Sequence, residues 1–141
     1  KCLEEAYLLY FNTRKDIKLN LIKPENDIYY HFDTLQISRC FNNLIKNAIE
    51  AVEKIPNPAV EVSMVTDAKN IKIEIKDNGV GIDEKMLSKI FEPYFTTKTK
   101  GTGLGLSIVK RIIEDHGGKI KIEKNKNMAG TTSLINFEYN A

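Results

Sequence analysis

"DTLQISRCFNNLIKNAIEAV", residues 33 to 52, is a long segment in which apolar side chains recur at helical spacing. The repeat predicts a helix over about 34 to 53. Asp33, with Gln36 three residues later, forms a capping-box pattern at its start, and Pro56 follows its end. The helix therefore has one apolar side, and we expect that side to face the core.

The segments around this helix change to a repeat of two residues, which is the pattern of β-strands. Two of them, joined by a short turn, predict an antiparallel hairpin. The expected elements are a helix end at 2 to 11, strands at 17 to 22, 28 to 32, 59 to 65, 71 to 77, 119 to 124 and 131 to 139, the long helix at 34 to 53, a short helix from about Asp83 and a helix at 104 to 116. They predict an α/β (α+β) two-layer sandwich, with one mixed, largely antiparallel sheet and helices on one face.

Length and composition limit the classes of function. The chain has 141 residues, 42% of them hydrophobic, which predicts one domain over 1 to 141. The formal net charge is only +2, so neither nucleic acid nor an anionic membrane is expected as the main partner.

Cys2 and Cys40 fit no metal-ligand spacing, and a buried reduced thiol at Cys40 favours a cytosolic compartment. The chain opens on Lys1 and has no apolar run of membrane-spanning length, so we expect a fragment of a longer protein, with 1 to 11 as the connecting helix.

The loop "GTGLG", residues 101 to 105, has a glycine at every second position and leads into a predicted helix. Glycines expose backbone N–H groups, and a helix N-terminus is the positive end of a dipole, so this loop suits phosphate oxygens. A flexible loop without a ligand is the simpler alternative. The P-loop spacing fails at every glycine. The Rossmann fingerprint also fails, although Glu123 lies about twenty residues downstream, because the spacing is G-x-G-x-G and the preceding "TTKTK" cannot be a buried first strand.

A second glycine-containing stretch, "DNGVGI" at 77 to 82, directly follows a predicted strand. Asp77 would end that strand, while Gly79 and Gly81 let the backbone turn closely around a flat ligand. A carboxylate at this point can accept a hydrogen bond from an exocyclic amine. A simple tight turn is the alternative interpretation.

The long helix carries a polar stripe beside its apolar side, formed by Arg39, Asn43, Asn47 and Glu50. Asparagine is unfavourable in a helix interior, so the pair of amides is expected to face something that it hydrogen-bonds. A hydrated Mg²⁺ between phosphates is one such ligand, and plain solvent is the alternative.

Five segments together resemble the sequence boxes of the sensor histidine kinase catalytic domain. The N, G1, F, G2 and G3 boxes are matched, in order, by "NNLIKNAIEA" at 42 to 51, "DNGVGI" at 77 to 82, "FEPYFTTK" at 91 to 98, "GTGLGLSIVK" at 101 to 110 and "GTT" at 130 to 132. "NLIKNAIEA" and the preceding "DTLQISRC" look most like the nitrogen-regulation sensor kinases. The implied fold is the Bergerat ATP-binding sandwich, which agrees with the architecture predicted from periodicity.

The resemblance implies an ATP-dependent protein-histidine kinase domain with ATP and Mg²⁺ as ligands. It implies that Asp77 accepts from the adenine amino group, that Asn47 is the Mg²⁺ ligand, and that Asn43 contacts phosphate or metal-bound water. Asn43 and Asn47 are thus the implied catalytic pair, and Thr131 or Thr132 would support Asp77 through water. The implied ATP-binding set is Asn43, Asn47, Asp77, Gly79, Gly81, Ile82, Phe91, Lys98, Gly101, Thr102, Gly103, Leu104, Gly105, Leu106, Thr131 and Thr132. Core packing is the alternative for Phe91, and plain solvation is the alternative for Lys98.

We identify no phosphoacceptor histidine in this chain. His31 lacks the acidic and basic neighbours of the family's acceptor, and His116 precedes Gly117 at a helix end, where an imidazolium favours the helix dipole. The implied partners are therefore a histidine-containing dimerisation domain of the same kinase and a response-regulator receiver domain. We expect a monomeric fragment of a homodimeric, cytoplasmic kinase, and an inner-membrane anchor in the parent protein stays open.

Two other kinds of function stay open. ATP-hydrolysing chaperone, mismatch-repair and topoisomerase relatives, and serine-phosphorylating anti-sigma-factor kinases, resemble one another in a glutamate one turn before the metal-binding asparagine. This chain has Asn43 there, and an amide cannot act as the base, which favours a histidine acceptor. Glu50 on the same stripe weakens that argument. A non-catalytic nucleotide-binding module is the other alternative.

Overall fold

Helices pack on one face of a five-stranded sheet in the computed structural model, which describes residues 1–25, 30, 32–93 and 105–138. The elements are α1 (Cys2–Phe11), β1 (Lys18–Ile22), α2 (Thr34–Val52), β2 (Ala59–Thr66), β3 (Asn70–Asp77), α3 (Glu84–Leu87), α4 (Gly105–Asp115), β4 (Gly118–Lys124) and β5 (Thr131–Glu138). The strand order is β1-β2-β3-β5-β4, in which β1 and β2 are parallel and the other neighbours are antiparallel. The predicted two-layer sandwich with a mixed, largely antiparallel sheet is confirmed.

The segment 28 to 32 differs from the prediction. Tyr30 and Phe32 lie outside any strand, and the other three positions are outside the described residues. The ring centroid of Tyr30 lies 5.2 Å from that of Phe137, and its hydroxyl donates to the carbonyl oxygen of His116 at 3.0 Å. Tertiary contacts of the aromatic side chain, rather than a strand ladder, hold Tyr30 in place.

α2 is the central helix of the core. Its N-cap is the predicted one, since Asp33 Oδ1 accepts from the backbone N–H of Gln36 at 3.1 Å. Its buried side chains are Ile37, Cys40, Phe41, Leu44, Ile45, Ala48, Ile49 and Val52. Cys40 is a free thiol with no exposed surface, and burial raises its pKa to about 11, so it stays protonated as the sequence predicts.

β3 supplies both core and site. Its buried residues are Ile71, Ile73, Ile75 and Asp77, so they alternate with outward-facing polar residues. Because side chains two apart on a strand point to the same face, Asp77 lies at the end of an apolar row that faces the helix layer. The sheet therefore carries a carboxylate into a buried position at the edge of the core.

α1 packs against α2 as part of the same layer, and its Leu3, Ala6 and Tyr7 are buried in the common core. It therefore contributes directly to the core of this domain. None of the helices in the described part of the chain is long and apolar enough to cross a membrane.

Candidate functional site

Two amides on α2 bond to each other, and one of them, Asn43, lies against the first turn of α4. Asn47 Nδ2 donates to Asn43 Oδ1 at 3.0 Å, one turn back along the helix. Gly105, the first residue of α4, lies so close that a Cβ there would be 2.7 Å from Asn43 Nδ2. Arg39, Asn43, Gly105 and Ile108 help to line a small cavity of about 50 Å³ between the two helices. The structure thus brings together the predicted amide pair and the last glycine of the glycine-rich loop.

The C-terminal end of α2 contacts the loop after β3. The backbone N–H of Val80 donates to the carbonyl oxygen of Ala51 at 3.4 Å, and a Cβ at Gly79 would lie 2.4 Å from that same oxygen. Glycine is therefore required at Gly79 by close approach to the helix. Gly81 has φ +77, the left-handed region that glycine adopts at least cost, and a Cβ there would be 3.9 Å from the backbone of Gly130, an ordinary contact.

Asp77 is the buried carboxylate of the site, with 6% of its surface exposed. Its Oδ1 accepts from the backbone N–H of Gly79 at 2.9 Å and from that of Thr131 at 3.4 Å. Burial raises the pKa of Asp77, and the two backbone N–H donors act in the opposite direction. The carboxylate is thus desolvated but held by donors, which suits a group that accepts from a ligand.

Asn78, the second residue of "DNG", has a structural role. Its Oδ1 accepts from the backbone N–H of Ala59 at 2.8 Å, and its Nδ2 donates to the carbonyl oxygen of Asn57 at 2.9 Å. These bonds hold the α2–β2 connection against the end of β3. Asn57 has φ 53, so the connection turns sharply at this point.

Asn125 is a site residue that sequence reasoning missed. Its Nδ2 donates to the carbonyl oxygen of Asp77 at 2.7 Å, and its Oδ1 accepts from the hydroxyl of Thr132. Thr131 contacts Asp77 directly through its backbone N–H, whereas the hydroxyl of Thr132 donates to Asn125 and not to Asp77. Asn125 follows a strand and carries no motif of its own, so no local sequence signal marks it.

The other predicted residues divide into described and undescribed positions. Leu106 packs against the core, Ile82 is half-buried after Gly81, and the half-buried ring of Phe91 lies beneath Lys110, whose Nζ is 5.2 Å from the ring centroid. The positions outside the described residues are Lys98, Gly101, Thr102, Gly103 and Leu104. His31 lies outside them as well.

His116 is structural, as the sequence predicts, but for a different reason. Its Nε2 accepts from the backbone N–H of Asp33 at 3.0 Å, and its Nδ1 lies 2.7 Å from the carbonyl oxygen of Ile112. Both ring nitrogens of this residue at the end of α4 therefore have backbone partners. A tertiary hydrogen bond to the N-cap residue of α2 explains the residue.

The donor set around the amide pair fits a magnesium ion held mainly by a nucleotide. Within the ranges that the structure describes, no three Cys, His, Asp or Glu side chains converge as a metal site would require. Asn47 contributes a neutral amide oxygen, and Mg²⁺ commonly keeps waters and substrate phosphates as its other ligands. The residues present therefore suit a metal that arrives with phosphates.

A larger cleft of about 160 Å³ lies at the opposite end of β3 from Asp77. Residues at its wall include Ile37, Phe41, Ile71, Ile73 and Phe137. These are apolar core side chains, and the charged residues of the lining, Lys1, Glu4, Lys23 and Glu25, are of both signs, with Lys23 Nζ 2.9 Å from Glu4 Oε2. We therefore place the candidate site at the α2–β3–α4 end and not in the larger cleft.

Comparisons with known proteins agree with this geometry. The family model described as histidine kinase-, DNA gyrase B- and HSP90-like ATPase matches residues 32–140. Sporulation kinase A of Bacillus subtilis is 40% identical over 80% of this chain and 18% of its own length. Nitrogen regulation protein NtrY of Azorhizobium caulinodans is 41% identical over 64% of this chain and 12% of its own length, so the predicted likeness to nitrogen-regulation kinases is confirmed. The chain spans less than a quarter of the length of these relatives.

Solved structures give the same answer. The nucleotide-free catalytic domain of histidine kinase ThkA matches with a TM-score of 0.85 and 33% identity, over 97% of this chain and 91% of that one. ThkA in complex with the response regulator protein TrrA matches with a TM-score of 0.80 and 29% identity, over 97% of this chain and 39% of that one. The chain belongs to the histidine kinase-, DNA gyrase B- and HSP90-like ATPases, and within them to the catalytic domains of histidine kinases.

Proposed function

We propose that this chain binds MgATP and donates the γ-phosphate to a histidine on a separate dimerisation domain. The observation that carries this proposal is the amide pair, in which Asn47 Nδ2 donates to Asn43 Oδ1 at 3.0 Å. In hydrolytic and serine-phosphorylating relatives, a glutamate at the position of Asn43 takes a proton from the nucleophile. An amide cannot do so, whereas a neutral imidazole already presents a lone pair and needs no base.

Asp77 has the geometry of a base-recognition residue. Two backbone N–H groups fix its carboxylate through Oδ1, and an ionised carboxylate can accept further hydrogen bonds. An adenine amino group is a donor, whereas guanine presents a carbonyl oxygen at the same position. Asp77 therefore selects ATP over GTP in this proposal.

The amide pair orients the phosphate end. The bond from Asn47 Nδ2 to Asn43 Oδ1 fixes the orientation of both amides on the helix, and Gly105 brings the N-terminus of α4 against Asn43. Backbone N–H groups at a helix N-terminus favour phosphate oxygens. Mg²⁺ supplies charge neutralisation at the phosphates when it is bound, and Asn47 is the chain's own ligand to it. Lys98 and the glycines from Gly101 to Gly105 are proposed as the remaining phosphate contacts.

The partners follow from the division between donor and acceptor. The dimerisation domain supplies the nucleophilic histidine, and a receiver domain takes the phosphoryl group from it. The ThkA–TrrA complex supports this, because a kinase with a catalytic domain of this fold assembles with a response regulator. We propose a monomeric catalytic domain within a homodimeric parent kinase, working on the cytoplasmic side whether or not the parent is anchored in a membrane.

A transfer assay tests the proposal. The isolated chain is expected to bind MgATP without labelling itself and without appreciable hydrolysis. Mixed at high concentration with the helical-hairpin domain of its own kinase, it is expected to transfer labelled γ-phosphate to a histidine, giving an acid-labile, base-stable product. Asn47→Asp is expected to lower the rate by roughly tenfold or more, because a carboxylate repels the phosphates and changes the charge of the metal site.

The matched control is Asn20→Asp, the same chemical change at an exposed position on β1. It is expected to transfer at the rate of the unaltered chain. Self-labelling on His31 or His116 would overturn the proposal, because the acceptor would then lie in this chain. ATP turnover without the hairpin domain as fast as the transfer would overturn it in favour of a hydrolytic relative. Binding of MgATP without transfer to the hairpin domain would instead indicate a non-catalytic nucleotide-binding module.

A further inference from the structure

The side chain of Asn125, in the turn between β4 and β5, uses both of its polar atoms on the surroundings of Asp77. Its Nδ2 donates to the carbonyl oxygen of Asp77 at 2.7 Å and to that of Ala129 at 3.0 Å. Its Oδ1 accepts from the hydroxyl of Thr132. One amide therefore joins the end of β3 to the turn and to the start of β5.

These bonds occur where the ladder between β3 and β5 ends. The last paired residues are Lys76 and Thr132, so Asp77 and Thr131 have no partner in the register of these two strands. Side chains take over at this point: Asp77 Oδ1 accepts from the backbone N–H of Thr131 at 3.4 Å, and the Asp77 carbonyl accepts from Asn125 at 2.7 Å. The amide of Asn125 thus bonds the main chain of Asp77 on the side where the β3–β5 ladder has ended, while β2 pairs with Asp77 on the other side.

Gly130 makes the close approach possible. Its φ is +109, and a Cβ on it would lie 2.0 Å from the carbonyl oxygen of Asp77 and 2.9 Å from Asn125 Nδ2. Its own carbonyl oxygen accepts from the backbone N–H of Asn125 at 3.1 Å. The turn from Asn125 to Gly130 is therefore closed on itself and packed directly on Asp77.

We propose that Asn125 is a positioning residue for nucleotide selection, and that the β4–β5 turn orients the Asp77 carboxylate toward the amino group of adenine. This inference rests on the proposed role of Asp77 in ATP binding. Asn125 has no contact with the base in this arrangement. It acts by fixing the main chain from which the carboxylate projects.

A ligand pair tests this role, namely ATP and purine riboside triphosphate, which lacks only the 6-amino group. Asn125→Ala is expected to weaken ATP binding by about tenfold, because the carbonyl of Asp77 loses its donor and the carboxylate loses its fixed direction. It is expected to change the affinity for purine riboside triphosphate by less than about twofold, because that ligand has no amino group to lose. Calorimetric titration of each protein with each ligand gives the four dissociation constants.

Asn125→Asp separates the donor from the shape of the side chain. It keeps the oxygen that accepts from Thr132, but it turns a carboxylate oxygen toward the carbonyls of Asp77 and Ala129. We therefore expect it to lower the affinity for ATP at least as much as Asn125→Ala does. Thr132→Val removes only the hydroxyl donor. It is expected to lower the affinity for ATP by a smaller factor, about twofold to threefold, and again to affect ATP more than purine riboside triphosphate. This milder variant keeps the test available if the changes at Asn125 prevent folding.

Asn136→Asp is the matched control, since Asn136 Nδ2 donates to Asn70 Oδ1 at 3.1 Å at the other end of the same pair of strands. It is expected to bind ATP normally. Asp77→Asn, measured with the same two ligands, distinguishes the two proposals. If Asp77→Asn does not discriminate between the ligands, the role of Asp77 fails. If Asp77→Asn discriminates but the variants of Asn125 and Thr132 weaken both ligands equally or neither, only the positioning role fails.

Discussion

At the residue scale, burial of the Asp77 carboxylate lowers the stability of the fold, while the same carboxylate is the proposed acceptor for the base. A carboxylate with 6% of its surface exposed loses most of its hydration, and burial is the main reason why its pKa is raised. The backbone donors of Gly79 and Thr131 recover part of that loss. A binding site that must offer an acceptor to a base therefore reduces the stability of the folded chain at neutral pH.

The first prediction concerns the pH dependence caused by Asp77. Its pKa is higher in the folded state than in the unfolded chain, so its contribution to stability is complete below the unfolded value of about 3.9 and is lost as pH rises through the folded value. Asp77→Asn carries no charge and keeps an oxygen that can accept from Gly79 and Thr131. We expect the free energy of unfolding of the unaltered chain to fall relative to that of Asp77→Asn as pH rises from about 3 to 7.

Urea unfolding of both proteins across this range provides the measurement. The variant is expected to be the more stable protein at neutral pH and the weaker binder of ATP, because its amide presents a donor to the adenine amino group. Parallel curves of stability against pH would show that Asp77 titrates normally in the fold.

At the element scale, a histidine joins the end of α4 to the start of α2. His116 follows α4, and its Nε2 accepts from the backbone N–H of Asp33, the N-cap of α2, at 3.0 Å. The hydroxyl of Tyr30 also bonds to His116, donating to its carbonyl oxygen at 3.0 Å. Gly117 has φ +77, which ends the helix as the sequence predicts. The far ends of α2 and α4 are thus joined on the side away from the amide pair.

The second prediction tests this contact. His116→Phe keeps a ring of similar size but leaves the N–H of Asp33 without its acceptor, so it is expected to lower the free energy of unfolding by about 1–3 kcal/mol. Amide exchange at Asp33 should become faster, as NMR-detected hydrogen exchange can measure. Asp33→Ala is the companion variant, because it removes only the side-chain cap and is expected to cost about 1 kcal/mol. Unchanged stability and exchange in His116→Phe would mean that the contact is absent in solution.

At the scale of the whole molecule, α1 belongs to the common core. Leu3 is 3% exposed and lies in the same cluster as the buried side of α2, whereas Leu9 on the same helix is 56% exposed. A helix that only led to another domain would not need buried anchors on this core. We therefore propose that α1 and the sandwich unfold as one cooperative unit.

The third prediction follows from that difference in burial. Leu3→Ala is expected to lower the free energy of unfolding by about 2–5 kcal/mol, because it opens a cavity in the core. Leu9→Ala, the matched exposed position, is expected to change it by no more than about 0.5 kcal/mol. Denaturant curves followed by circular dichroism and by tyrosine fluorescence should coincide for both variants. Separate transitions, or equally small effects at both positions, would show that α1 does not unfold together with the sandwich.

The sequence by itself determined the elements and the motif residues. Helical and strand repeats predicted both ends of every observed helix and strand to within one residue, apart from α3, for which only a start near Asp83 was predicted. They do so because one buried face imposes its own spacing on the chain. Asp77, Asn43 and Asn47 were predicted as site residues for a similar reason, since each lies in a short motif or a stripe whose chemistry is local, and their roles stay predictions. The predicted strand at 28 to 32 was wrong because the apolar residues there resemble a strand, whereas tertiary contacts hold Tyr30 outside one.

Only the tertiary structure decided which groups meet. Asn125 is 48 residues from Asp77 along the chain, and His116 is 83 residues from Asp33. No local repeat records either pair, because a hydrogen bond between distant elements depends on strand order and register. The close approach of Gly130 to Asp77 follows from those same contacts. Periodicity thus specifies which face of each element is buried, but the packing of one element against another specifies the partners of the polar groups at their ends.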